Sequence, residues 1–296
     1  MVIQKVGVVG AGTMGSGIAE TLAEHEFDVI LIDKTTKAIN RAMQWIEKSQ
    51  EKKLEKWAIT EAEKKMILAH IHTTLDLSLL AEVDMVIESV DEDLELKKEI
   101  FKKLDLLCGP EVILASNTST LSLTELAAGT LRPERIIGLH FLHPVAKINL
   151  VEIIRGLRTS DETVARAKEF VDRIQKVGIQ VYESPGYVTT RLILTLINEA
   201  VNTLMEGVAS AEEIDVAMKI GYDFSRGPLE MADRFGLDSV LAAMERLFRE
   251  FGDPKFRPSP LLRKLVRAGQ LGVKTGEGFF RYTETGERIS KPLEEG

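Results

Sequence analysis

Along the first 184 residues, short runs of consecutive apolar residues alternate with longer stretches whose apolar positions recur every three or four residues. The runs are "VGVVG" (6–10), "DVILID" (28–33), "DMVIES" (84–89), "EVILAS" (111–116), "RIIGLH" (135–140), "NLVEII" (149–154) and "GIQVYES" (178–184). Each is short, Val/Ile/Leu-rich and bounded by polar residues, as strands buried on both faces of a sheet are. Helical periodicity fills several of the gaps, for instance Thr13–His25 and Asp93–Leu107. Strands separated by helices require crossover connections, so the pattern predicts a largely parallel sheet flanked by helices. After Pro185 the period changes. "VTTRLILTLINEAVNTLMEGVA", "SAEEIDVAMKIG" and "PLEMADRFGLDSVLAAMERLFREFG" read as helices, with no good strand candidate among them. Pro and Gly in "ESPGY" (183–187) interrupt both patterns. The expectation is therefore an α/β domain over 1–184, Rossmann-type and doubly wound, followed by an all-helical domain over 185–296.

Glycines sharpen the first half. "VGVVGAGTMGSGIAE" contains Gly10-Ala11-Gly12-Thr13-Met14-Gly15 between the first strand and the first helix. In a dinucleotide fingerprint the first glycine permits the turn, the second lets backbone approach a pyrophosphate, and the third lets the helix pack closely. The motif alone is weak. Here it sits in strand–turn–helix context, and the second strand ends in Asp33, at the spacing of an acid that bonds the adenine ribose 2′-hydroxyl. Asp33 would repel a 2′-phosphate and only Lys34 adjoins it, so NAD is expected rather than NADP.

Composition narrows the partners. Among 296 residues, 38 Lys and Arg face 46 Asp and Glu, a formal charge of −8, which disfavours nucleic acid and anionic membrane. No apolar run approaches a membrane span, and the first residues enter a strand pattern rather than an export leader. Cys108 is the single cysteine, so no internal disulfide forms, and the expected location is the cytoplasm.

Two of the five histidines lie three apart in "GLHFLHP" (138–144). On a strand continuing to 143, His140 and His143 would point to opposite faces. No third ligand is close in sequence, since His25, His70, His72 and Cys108 are scattered, and a metal site is not expected. His140 instead ends a strand, where ligands of such sheets bind. Glu152 lies on the next strand, and a reversal through "PVAKIN" would set its carboxylate beside the imidazole. That pair fixes a ring tautomer and raises its basicity, as a general base requires. Ser116-Asn117-Thr118-Ser119-Thr120 follows another strand end and aims at the same crevice.

The chain resembles the NAD-dependent L-3-hydroxyacyl-CoA dehydrogenases, a family that includes the bacterial 3-hydroxybutyryl-CoA enzymes. The likeness runs from "VGVVGAGTMG" through "SNTST", "GLHFLHPV", "LVEII", "SPGYV", "GVASAEEIDVAMKIG", "GPLEMAD" and "FRPSPLLRKLV" to "LGVKTGEGFFRY" (271–282), in order. The resemblance implies hydride transfer from C3 of an acyl-CoA to NAD, with His140 as base, Glu152 orienting it and Ser119 contacting the substrate oxygen. It implies cofactor contacts at Glu92, Lys97, Ser119, His143 and Lys274. Substrate contacts follow at Ser49, Lys56, Lys97, Ser119 and Thr190, with a homodimer closed by the helical domain. Read without the family, the helix holding Lys48, Lys52, Lys53 and Lys56 also interleaves Glu47, Glu51 and Glu55, which suits a solvated face.

Two residues depart from the family pattern. His143 and Thr190 stand where asparagine is usual. Threonine offers one hydroxyl on a short stem where an amide offers two donors and an acceptor. A hydrogen bond left unmade in a buried site costs about 1–3 kcal/mol, a tenfold to hundredfold rate loss without compensation. The two replacements together are expected to reshape the acyl pocket. The rival functions are oxidation of a free hydroxy acid or sugar acid, and an NAD-binding protein with decayed catalysis.

Overall fold

The computed structural model describes residues 2–289, so Met1 and positions 290–296, the end of the second expected domain, lie outside the described residues. It divides into two compact units, 1–184 and 185–296.

The first unit runs β1 (Lys5–Val9), α1 (Thr13–Glu24), β2 (Asp28–Ile32), α2 (Thr36–Glu55), α3 (Glu61–Ala69), β3 (Ile71–Thr74), β4 (Met85–Glu88), α4 (Leu94–Leu107), β5 (Ile113–Ser116), α5 (Leu123–Ala128), β6 (Ile136–Phe141), β7 (Leu150–Arg155), α6 (Asp161–Arg173) and β8 (Val177–Tyr182). The eight strands form one sheet in the order β3-β2-β1-β4-β5-β6-β7-β8, parallel except for the β6–β7 pair. This is the expected doubly wound class, with the order reversing between β1 and β4. Seven strands follow the apolar runs, and β3 does not. Its sequence, Ile-His-Thr-Thr, buries only Ile71, because it lies at the sheet edge and needs no apolar run.

Helices start where polar side chains can satisfy their first amides. Asp93 accepts from Leu96 N at 2.8 Å, and Thr60 with Glu63 forms a reciprocal capping box. The core beneath is Val6, Val8, Leu31, Ile87, Ile113, Ile137 and Leu139 against Ile18, Leu22 and Phe170. Fully burying one such side chain stabilises by about 1.5–3 kcal/mol, so the sheet edges near the ligand crevice rest on a stiff platform.

The second unit contains α7 (Thr189–Met205), α8 (Ala211–Gly221), α9 (Pro228–Phe235), α10 (Leu237–Phe251) and α11 (Pro260–Arg267) around Ile197, Val201, Leu229, Met244, Leu247 and Phe256. It is not wholly helical. β9 (Arg281–Tyr282) and β10 (Arg288–Ile289) pair antiparallel, each too short to imprint a period on the sequence. Among the described residues, no helix is long and apolar enough to cross a membrane.

Candidate active site

The turn after β1 gives each fingerprint glycine a separate reason. Gly10 has φ +106°, and a Cβ there would lie 2.5 Å from the Ser89 carbonyl oxygen. A Cβ on Gly15 would lie 1.8 Å from the Gly10 carbonyl oxygen, so α1 packs directly on the turn. A Cβ on Gly12 would meet nothing within 4 Å, which leaves the backbone open on the side a pyrophosphate needs. Thr13 and Met14 form the first turn of α1, which has no side-chain cap and no acidic residue. Its amide dipoles therefore remain available to an anion. Asp33, half-buried at the end of β2, accepts from Ala11 N at 2.9 Å and stands beside the turn. Open backbone, uncapped helix and acid together fit an NAD-type dinucleotide.

Three further strand ends converge beside that turn. β4 ends in Glu88, which has no solvent exposure. Glu88 Oε1 accepts from Lys97 Nζ at 2.6 Å and from Val90 N at 2.7 Å, and its Oε2 accepts from Ser116 Oγ at 2.7 Å. Lys97 also donates to the Val90 carbonyl at 3.2 Å and lies 3.6 Å from Glu92. Lys97 is 1% exposed and its ammonium is engaged from within.

Glu92, by contrast, is exposed and turns one carboxylate oxygen to the protein. Its Oε1 gathers Thr118 Oγ1 at 2.6 Å, Ser119 N at 3.1 Å, Thr120 N at 3.1 Å and Thr120 Oγ1 at 3.1 Å. Desolvation opposes its charge, but Lys97 and these donors prevail and hold the carboxyl below its usual range. Ser119 is consequently fixed at its backbone, with its Oγ 3.5 Å from the same carboxylate oxygen. Asn117 ties the neighbouring ends together, donating to Ser89 Oγ at 3.2 Å and accepting from Phe141 N at 2.9 Å.

β6 and β7 supply the histidine. They are antiparallel, with His140 directly opposite Glu152, so the two side chains share a face. His140 Nδ1 lies 2.6 Å from Glu152 Oε2, with the histidine 6% exposed and the glutamate fully buried. A carboxylate at Nδ1 holds the proton there and makes Nε2 the basic nitrogen. β6 stops at Phe141, and His143 follows on an exposed bend before a cis Pro144. Partial desolvation lowers the His143 pKa from the usual imidazole value. Among the described residues no group of three or more His, Cys, Asp or Glu could hold a metal ion.

The remaining expected positions scatter. Ser49, in the C-terminal half of α2, is half-buried. Lys56 is exposed just past the end of α2. In the second unit Thr190 is half-buried in the first turn of α7, and Lys274 pairs with Asp238 at 2.5 Å. Sequence reasoning missed Glu88, whose signal was an acid closing an otherwise apolar strand. It also missed Lys176, which donates to the Val145 and Ile148 carbonyls at 2.7 and 2.9 Å and braces the β6–β7 connection; no periodicity marks it.

Comparison with known proteins agrees with this geometry. Residues 5–184 match the model of the 3-hydroxyacyl-CoA dehydrogenase NAD binding domain, and residues 186–282 that of the 3-hydroxyacyl-CoA dehydrogenase C-terminal domain. A probable 3-hydroxybutyryl-CoA dehydrogenase of Deinococcus radiodurans is 46% identical over 278 residues, covering 94% of this chain and 100% of the relative. The crystal structure of (S)-3-hydroxybutyryl-CoA dehydrogenase from Ralstonia eutropha superposes with a TM-score of 0.90 at 45% identity, covering 95% of this chain and 99% of that one. FadB2 of Mycobacterium tuberculosis superposes with a TM-score of 0.94 at 38% identity, covering 96% and 100%.

Proposed function

The chain belongs to the 3-hydroxyacyl-CoA dehydrogenase family, and from that premise we propose that it oxidises the C3 hydroxyl of a (3S)-3-hydroxyacyl-CoA to the 3-oxo thioester with NAD, His140 acting as general base. The observation that carries the reading is the buried His140–Glu152 pair at 2.6 Å, in the same sheet as the dinucleotide turn and at the end of β6. NAD, when bound along Gly10–Gly15 and Asp33, supplies the hydride acceptor. His140 Nε2 takes the hydroxyl proton, and Glu152 holds the ring in that tautomer and stabilises the imidazolium. Ser119 donates to the same substrate oxygen as charge develops on it, from a turn already fixed by Glu92, so little reorganisation accompanies the reaction. Lys56 would meet the coenzyme A portion. Lys97 would act from behind the site, and Glu92, exposed beside the Ser119 turn, would meet NAD.

The test follows NADH formation with 3-hydroxybutyryl-CoA, longer 3-hydroxyacyl-CoAs and the free hydroxy acids, beside His140→Gln. Turnover of a thioester that falls about a thousandfold in the variant, with NAD still bound, is the expected result. Activity only on the free acids, or unaffected by the substitution, would sink the assignment. The apolar side chains exposed on the helical unit, including Leu192, Ile220 and Tyr222, support a homodimer. Light scattering should give twice the 32.9 kDa chain mass; a monomer at micromolar concentration would refute it. A reducing, cytoplasmic setting is consistent with a single buried cysteine whose thiol burial pushes up to about 11.

A further inference from the structure

We propose that Glu88 is a positioning residue for the reaction, acting with Lys97 to hold Ser119 where it meets the substrate oxygen. The inference rests on the role given to Ser119 above. Glu88 lies in none of the stretches quoted above for the resemblance and is fully buried, yet its carboxylate joins three elements at the ligand-facing edge of the sheet. It takes Val90 N from its own loop, Lys97 Nζ from α4 and Ser116 Oγ from the end of β5.

Two chains of contact run from it to the same turn. Ser116 Oγ accepts from Thr118 N at 3.3 Å, which steadies the near side. Lys97 stands between Glu88 and Glu92, 2.6 and 3.6 Å from their oxygens, and Glu92 grips residues 118 to 120 on the far side. The loop after β4 also abuts Gly10, so the device sets the serine turn against the dinucleotide turn.

A purely structural account explains the arrangement less well. Replacing a buried ion pair by neutral groups of similar volume is often harmless to stability, so stability alone gives little reason to bury these charges. Here the pair orients a second carboxylate, and through it two backbone amides and the Ser119 hydroxyl. Glu92 keeps its negative charge because Lys97 lies beside it, which keeps the grip on the turn strong.

The test uses the double variant Glu88→Gln/Lys97→Met, which removes both members of the buried pair together, in both the parent and a Ser119→Ala background. Melting temperature and NAD affinity are measured alongside as controls. In the parent background we expect kcat to fall about tenfold, with KM for NAD changed less than threefold. Ser119→Ala alone should cost about a hundredfold, as loss of one donor to a developing oxyanion does. In the Ser119→Ala background the double variant should then cost less than a further twofold, because its effect is already lost. Additive losses would overturn the proposal, since they mean that the pair acts on the fold and not through Ser119. A double variant with kcat within twofold of the parent would overturn it too. If Ser119→Ala itself leaves kcat unchanged, the role of Ser119 fails at its root, and that single variant identifies the failure.

Discussion

Glu92 in the first unit and Asp233 in the second each collect several hydrogen bonds with one carboxylate, and they end with opposite acidities. Asp233, 1% exposed, accepts from Phe279 N and Phe280 N at 2.9 Å and from Tyr282 Oη at 3.0 Å. Desolvation raises its pKa to about 6 against those bonds, and nearby Asp215 adds to the rise. Glu92 is desolvated as well, but Lys97 stands beside it and its carboxyl is held low. The difference lies in what each carboxylate grips. Asp233 holds a ribbon to its own helix, and a Cβ on Gly278 would lie 2.0 Å from its Oδ1, so the space is filled by protein. Glu92 holds a turn whose serine stands at the ligand edge of a sheet. A carboxylate with many donors is thus no mark of a site; a cation kept beside it at a strand end is a better one.

The comparison breaks most sharply by removing one acid from each unit. Glu152→Gln presents an amide to His140 and loses the charge that stabilises the imidazolium, so kcat should fall about a hundredfold with the fold intact. Asp233→Asn leaves one acceptor and an amide NH₂ facing donors in a buried space. A loss of about 1–3 kcal/mol should follow. Both tryptophans, Trp45 and Trp57, lie in the first unit, so fluorescence reads that unit while circular dichroism reads both. Asp233→Asn should lower the dichroism midpoint, and Glu152→Gln should move neither. The pH dependence carries the same contrast. Asp233 has a folded pKa above its unfolded value of 3.8, so its stabilisation is full below about pH 4 and is lost as pH rises through about 6. A shift of that size corresponds to on the order of 3 kcal/mol. Glu92, with a lowered pKa, contributes above its ordinary 4.5 and loses that contribution only as pH falls further. If urea midpoints of the parent and of Asp233→Asn keep a constant gap from pH 4 to 6.5, the assignment to Asp233 is wrong.

Much of this was legible in the chain because it obeys local rules. The glycine turn, the dense Val/Ile strands and the change of period after Pro185 are short-range signals, and they lead to the observed fold class. The approach of His140 to Glu152 was legible for the same reason: eleven residues separate them across one reversal, and an antiparallel pair puts opposite residues on one face. Glu88, Lys97 and Lys176 were obscured by their burial. A charged residue at a strand end or in a helix reads as solvated unless its partner is known, and the partners here include residues 9 to 31 away on other elements. β3 escaped because an edge strand carries little apolar signal.

The smallest effect concerns the two positions where the family usually has asparagine. His143, exposed on its bend, carries a ring where an amide is usual. Thr190, in the first turn of α7, offers a hydroxyl of short reach. Neither change replaces His140, Glu152 or Glu92, so neither should alter how the proton is taken. Their influence should fall on which acyl chain is accepted. One methylene in an apolar pocket discriminates by roughly tenfold to two-hundredfold, so even a modest change of shape is measurable as a ratio. His143→Asn/Thr190→Asn should shift the ratio of kcat/KM between 3-hydroxybutyryl-CoA and a longer thioester by about threefold to tenfold. The pH dependence of kcat should stay that of the parent. A variant with the parent's ratio would show that the two residues do not set specificity. A variant whose pH profile moves would place His143 in the proton chemistry, and the separation between gripping residues and shaping residues would then fail at that position.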